Sequence, residues 1–428
     1  MNSKKISINK ICKLNRETIR SNNQPNYINY LDTGNITRNR IDEIKHLVNG
    51  VDKFPSRAQR KVQKHTIIYS TVRPEQEHFG IIENTIDNLI VSTGFTTLDI
   101  IDDTIDAKYL YYSLTNKSIT EYLNIIAVNN VTSYPSLNPS DIGDLVIKIP
   151  SSKTDQQKIA KVLSDLDSKI ELNNKINAEL EAMAKTLYDY WFVQFDFPYS
   201  PPSEGCPQDG LGIGKPYKSS GGKMVWNEEL KREIPEGWEV KTVEDYAEVK
   251  KGDLITARDS KQGLVKVVAA GINYSYLHSV SNRQKNTITI SGSGANAGFI
   301  NFWREPIFAS DCITVRGEND TITLMILHHL RLLQDYILSQ ATGSAQPHVY
   351  PSDIKILNYV IPLNHLIEQF GKIVLPMNDK ISNNLKENQE LSTLRDWLLP
   401  MLMNGQVTVG AVEEQLGMVA ESGKEYKK

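Results

Sequence analysis

The sequence predicts an α+β fold. Two globular domains with curved mixed sheets are joined by two long helices that form an antiparallel coiled coil, an internal pseudo-twofold repeat. Three observations carry this. A block of residues recurs 212 positions along the chain, each copy leads into a heptad seam, and each copy follows a stretch of short β-rich runs.

The repeat is read directly. Pro139-Ser140-Asp141-Ile142 returns as Pro351-Ser352-Asp353-Ile354, Ile149-Pro150 as Ile361-Pro362, and Gln157 as Gln369. After a one-residue slip, Lys169-Ile170, Asn173, Asn177 and Glu179-Leu180 return as Lys380-Ile381, Asn384, Asn388 and Glu390-Leu391. The stretches between the copies show no likeness, so two matching frames carry two divergent inserts.

Composition bounds the class. A chain of 428 residues, 40% apolar and 23% charged, is globular with two to four cores. No stretch approaches the roughly 18 to 20 apolar residues of a membrane span, and no secretory signal opens the chain. Cys12, Cys206 and Cys312 are far apart and offer neither a disulfide frame nor a CxxC pair, so a cytoplasmic location is expected.

The first insert, residues 1–150, contains β-rich runs at Thr66–Tyr69 and Asn88–Val91 and a helix over Ala107–Leu123. The second, residues 235–362, contains runs at Lys266–Ala269 and Thr287–Ile290 and a helix over Thr323–Leu338. Between them, 197–234 reads as a Pro/Gly/Ser-rich surface linker with a little structure near Trp226.

Residues 151–196 hold the first long helix. Its seam, Leu163, Leu166, Ile170, Asn173, Asn177, Leu180, Ala184, Leu187 and Trp191, steps by alternating threes and fours. Residues 363–405 repeat it with Val374, Met377, Ile381, Asn384, Asn388, Leu391, Arg395, Leu398 and Leu402. Pro376 predicts a kink or a late start, and Gly405 a stop before the 406–428 tail. Asparagines in an apolar seam cost stability but fix register, because each demands a polar partner. The 28 residues from Leu163 to Trp191 span about 42 Å, comparable with one turn of DNA at roughly 34 to 36 Å.

The net charge of −3 argues against a protein that coats nucleic acid, but its distribution is uneven. Residues 1–64 carry 14 basic and 5 acidic side chains, and residues 250–304 carry 8 and 2. A basic segment opening each insert is compatible with phosphate contact. The candidates are Arg38, Arg40, Arg57, Gln59, Arg60, Lys61 and Lys64 in the first, with Gln59 suited to an adenine edge. In the second they are Lys250, Lys251, Arg258, Lys261, Arg283, Lys285 and Arg304. The Gly-rich loop Ser291–Gly298 adds Ser293 and Asn296 as a backbone clamp on a phosphate.

Catalytic signals are weak. Asn138-Pro139-Ser140-Asp141 superficially matches an adenine-methylase loop, but its copy begins with Tyr350, so a turn before the last strand is the better reading. The eight histidines show no metal-ligand spacing, and His328-His329 should place one ring inside and one outside a helix. No Ser/His/Asp set stands out.

With these residues in view the chain resembles the specificity subunit of type I restriction-modification systems. The strongest match runs from Ile149-Pro150 through Gln156-Gln157-Lys158-Ile159-Ala160, Leu163–Leu187 and Tyr190-Trp191-Phe192. Ile234-Pro235-Glu236-Gly237-Trp238, Ala341–Gln346 and Leu394–Leu402 with Gly405 fill the family's later places. The first domain lacks a counterpart of 341–346, showing Val128–Ser133 instead, and the family's N-terminal conserved segment is short or absent. The resemblance implies a non-catalytic reader of double-stranded DNA in defence against foreign DNA. Two target-recognition domains would bind a split asymmetric target, and the helices would act as spacer ruler. Two methyltransferase (M) subunits would dock on the helices, with restriction/translocase (R) subunits as further partners. No cofactor is expected in this chain; S-adenosylmethionine, ATP and magnesium would sit on the partners. The alternative is a coiled-coil adaptor without DNA specificity.

Overall fold

The computed structural model describes residues 2–19, 25–130, 135–199, 214–340, 347–410 and 412. The chain divides into two compact units, Met1–Glu171 with Asn388–Lys428, and Leu172–Glu387. Both long helices therefore contribute to each unit.

In the first unit the opening strand Ser3–Ser7 lies antiparallel to Val146–Pro150, with Ser3 opposite Pro150. A four-stranded sheet runs in the order Cys12–Leu14, Phe95–Ile100, Ile67–Ser70, Phe79–Ile81. A second, mixed sheet runs Lys45–Val48, Tyr27–Leu31, Leu89–Ser92, Ala58–Lys61, its central pair parallel.

The second unit repeats the plan. Glu239–Thr242 lies antiparallel to Asn358–Ile361. Its four-stranded sheet runs Ala247–Lys251, Cys312–Gly317, Thr287–Ser291, Ile300–Trp303. Its second sheet has three strands, Tyr276–His278, Val265–Val268 and Phe308–Ala309, the last pair parallel. The inserts that share no sequence thus share the strand order of the four-stranded sheet, while the mixed sheet has one strand fewer in the second. Alternation of apolar residues is enough to bury one sheet face, so many sequences satisfy one topology.

Each expected insert helix is two. The first breaks at Asn116, whose side chain accepts from Ser118 N, giving Ala107–Leu114 and Lys117–Asn129. The second breaks at Leu333, giving Asp320–Leu332 and Gln334–Gln340. His328 and His329 both turn inward, against the expected split. His328 stacks on Tyr188 and His329 meets the edge of Tyr359. Burial pushes both imidazoles down to about 4, so they stay neutral at pH 7.

Pro139–Gly143 and Pro351–Lys355 are short helical turns before the last strand of each insert. Asp141 accepts from Asn138 N at 2.7 Å and Asp353 from Tyr350 N at 2.8 Å. The repeated Pro-Ser-Asp is therefore a capping turn.

The first long helix, Lys153–Tyr188, closes in a π-helical turn over Asp189–Val193. The second runs Asn364–Met403, well before Pro376, so the late start is not observed. Pro376 faces outward, and Gly405, two residues past the helix end, has φ +72°. Every seam residue is buried or half-buried. Asn173 donates to Glu387 at 2.8 Å, Asn384 to Asn177 at 2.8 Å, and Arg395 to Asp167 at 2.7 Å. Partner numbers fall as seam numbers rise, so the pair is antiparallel. The charge at Arg395 is tolerated because Asp167 also accepts from Tyr112 at 2.6 Å.

The expected linker is partly core. Phe197 and Tyr217 are buried, and Phe197 stacks on Tyr217 at 4.6 Å and on Trp238 at 5.3 Å. Met224–Asn227 pairs with Arg232–Pro235 as a hairpin. Its polar composition hid two aromatic side chains that each stabilise by about 1.5 to 3 kcal/mol when buried. The family-like stretch Ala341–Gln346, Cys206 and most of the tail lie outside the described residues.

Candidate DNA-binding faces

In the first domain the strand Ala58–Lys61 edges the mixed sheet. Pleating turns Ala58 and Arg60 inward and leaves Gln59 and Lys61 exposed, with Arg57 and Lys64 exposed at its ends. Arg60 donates from Nε to Phe95 O at 3.1 Å, and burial lowers its pKa. It braces the sheet rather than facing outward. Gln59 Nε2 donates to Ser56 O at 2.7 Å, holding the turn before the strand.

Arg38 and Arg40 lie apart from this group. Arg38, in a left-handed conformation, grips Glu77 and sits 3.6 Å from Asp396. Glu77 raises its already high pKa further through a side-chain hydrogen bond. Arg40 pairs with Asp42 at 3.2 Å on an exposed turn.

In the second domain Arg283 gathers the basic segments. Its guanidinium donates to Thr314 Oγ1 at 3.0 Å, Asn282 O at 2.9 Å and Lys251 O at 2.9 Å. Lys250 and Lys251 on one strand are thereby tied beside Lys285, with all three lysines exposed. Lys250 Nζ pairs with Glu248 at 2.5 Å. Arg60 and Arg283 hold equivalent places: Arg60 pairs with Val91 and Arg283 bridges Ile307, each just before a central strand. Both spend their hydrogen bonds on the protein, and neighbouring lysines are left to face solvent.

Arg258 and Lys261 are exposed on the loop before Val265–Val268. The loop is pinned by Lys261 N to His278 Nδ1 at 3.0 Å and Tyr276 OH to Ile255 O at 2.7 Å. Leu254 and Leu264, 83% and 87% exposed, flank these two basic residues. The sequence reading passed over both leucines, because an apolar residue between turn formers gives no periodic signal.

Two expectations are corrected. In the Gly-rich loop three amides are already used: Gly294 N donates to Pro347 O, Ala297 N to Gly294 O and Gly298 N to Ser291 O. Ser293 is buried and donates to Asp311 at 2.6 Å, and Asn296 O accepts from Phe299 N. A carboxylate and spent amides make a poor phosphate cradle. Arg304 is buried against both long helices, donating to Asn378 at 2.8 Å and Glu181 at 2.9 Å.

Among the described residues, no group of three or more His, Cys, Asp or Glu is placed to hold a metal ion. Burial pushes the Cys12 and Cys312 thiols up to about 12, so both are unreactive. No helix among these residues is long and apolar enough to cross a membrane.

The family profile described as "Type I restriction modification DNA specificity domain" matches residues 2–182 and 235–392. This chain belongs to that family. Among relatives of the specificity subunit, the type I restriction enzyme HindI specificity subunit of Haemophilus influenzae is 25% identical, covering 90% of this chain and 95% of its own. The MjaIX specificity subunit of Methanocaldococcus jannaschii is 28% identical over 81% of this chain and 78% of its own. The crystal structure of the Mycoplasma genitalium type I S subunit superposes with a TM-score of 0.56 at 19% identity. It covers 94% of this chain and 96% of that one, a likeness of fold. As a specificity subunit the chain is the non-catalytic, DNA-recognising member of a multi-subunit assembly.

Proposed function

We propose that this specificity subunit reads a split, asymmetric DNA target, one half through each insert, with the antiparallel helices as ruler for the spacer. The observation that carries the reading is the repeated scaffold. Each insert has a four-stranded sheet of one strand order and beside it an Arg-braced basic segment, Arg57–Lys64 on the mixed sheet of the first and Lys250–Lys251 with Arg283–Lys285 at the edge of the four-stranded sheet of the second. Unlike side chains on like frames suit two different half-sites.

Two M subunits would dock on the helix pair. Support comes from outward apolar side chains on the helices, Leu172, Met183, Leu385 and Trp397, which serve no core. S-adenosylmethionine, ATP and magnesium would be held by the M and R partners, in the cytoplasm. The test is methylation sequencing of a methylation-free host expressing the chain with its M subunit. A split motif with N6-methyladenine in each half is expected; a bound, expressed partner with no new motif would refute the reading.

A further inference from the structure

We infer that Arg304 is a positioning residue that keys the second recognition domain to the helix pair and so restricts the spacer length the subunit accepts. The inference rests on the split-target reading above. Arg304 follows the sheet strand Ile300–Trp303, and its side chain is 12% exposed. One fork of the guanidinium reaches each long helix: NH2 donates to Glu181 Oε1 on the first, and Nε to Asn378 Oδ1 on the second. Its face lies over Phe302, 5.1 Å from the ring centroid.

The chain of bonds continues toward the basic segment. Asn378 Nδ2 donates to Asn286 Oδ1 at 3.2 Å, and Asn286 Nδ2 to Asp320 Oδ2 at 2.8 Å. Asn286 is in a left-handed conformation with φ +58°, directly after Lys285. Arg316 NH1 donates to the carbonyls of Lys285 and Asn286, both at 2.8 Å. A buried polar relay thus runs from both helices to the backbone that presents Arg283 and Lys285.

Apolar packing alone tolerates a few degrees of rocking, because dispersion is non-directional. A planar guanidinium with one partner on each helix does not, since rotating the domain breaks both bonds together. The charge is committed inward, so its use is orientation rather than contact with bases.

The experiment uses the complex of the chain with its M subunit, mapped by methylation sequencing, for wild type, Arg304→Ala, Arg304→Lys and Glu181→Gln. Lys241→Ala, at an exposed pair with Glu239 outside the relay, is the control. Expected for Arg304→Ala are unchanged half-sites, with methylation at spacers one base pair longer or shorter rising at least tenfold relative to wild type. Arg304→Lys, which cannot fork to both helices, should fall between. Should Arg304→Ala not yield folded complex, Glu181→Gln keeps shape and an acceptor while removing the charge, and should broaden the spacer more weakly. Wild-type spacer stringency in folded Arg304→Ala, or in folded Glu181→Gln where Arg304→Ala gives no complex, would overturn the inference. Altered half-site bases would overturn it too, by making Arg304 a reader. A wild-type complex with no split motif would sink the underlying functional reading, and this inference with it.

Discussion

Replacing Asn384 by alanine removes the donor to Asn177 Oδ1, a 2.8 Å bond between two buried amides in the helix seam. Asn384 is 0% exposed, so water cannot replace it. The orphaned carbonyl then costs its desolvation, about 1 to 3 kcal/mol. Asn177→Ala should cost a similar amount. Leucine at both positions removes donor and acceptor together and restores apolar packing, which should be neutral or stabilising by comparison. The coupling from the double-mutant cycle should reach about 1 to 2 kcal/mol. Urea midpoints followed by helical circular dichroism measure it, compared between variants because a chain of two units is not strictly two-state. A double-leucine variant as destabilised as the sum of the singles would refute the pairing argument. The same variant carries a specificity cost, since it removes one of the polar pairs that fix the register, where a slip of one heptad is about 10 Å. New spacers in its methylation pattern are the expected sign.

Further predictions concern charge, pH and packing. Arg57→Ala and Lys61→Ala should each reduce the slope of log affinity against log salt for cognate DNA by about 1, measured by fluorescence anisotropy; unchanged slopes would remove both from the interface. His328 and His329 have folded pKa values of about 4, below the unfolded 6.5, so protonation favours the unfolded chain. Their stabilisation is complete above pH 6.5 and lost as pH falls toward 4, by about 1.4 kcal/mol per pH unit for each ring. Urea midpoints at pH 7 and pH 5 should show it, and equal midpoints would contradict it. Gly371→Ala would set a Cβ 2.5 Å from Thr321 Oγ1, where the second long helix meets Asp320–Leu332. A loss of about 1 to 3 kcal/mol in chemical denaturation is expected, relieved by Thr321→Ala.

Local periodicity was legible in the sequence. The seam is a repeat of 3.5 residues, so Leu163 and Leu398 could be placed inward without knowing what they touch. The asparagines could be called paired, but not that Asn173 would find Glu387. Long-range polar bonds were illegible for the same reason. Arg304 reads as one more cation in a basic stretch, and its partners Glu181 and Asn378 lie 123 and 74 positions away. Likewise Arg60 and Lys61 are neighbours of like charge, and only the pleat of the strand sends one inward and the other out. The common sheet order of the inserts escaped because no residue identity marks it.

In each insert the first strand lies beside the last, Ser3 opposite Pro150 in one and Glu239 opposite Ile361 in the other. Entry and exit therefore share a doorway, and everything between forms a closed loop hung from a short antiparallel clasp. A foreign insert of quite different length can be hung there at little extra closure entropy, because that cost grows only with the logarithm of loop size. What a replacement must match is the clasp, the cap that precedes it and the seat on the helices, as Arg304 does with Glu181 and Asn378. The fold is thus a socket as much as a reader: evolution or an engineer can change the plug without rewiring the rod.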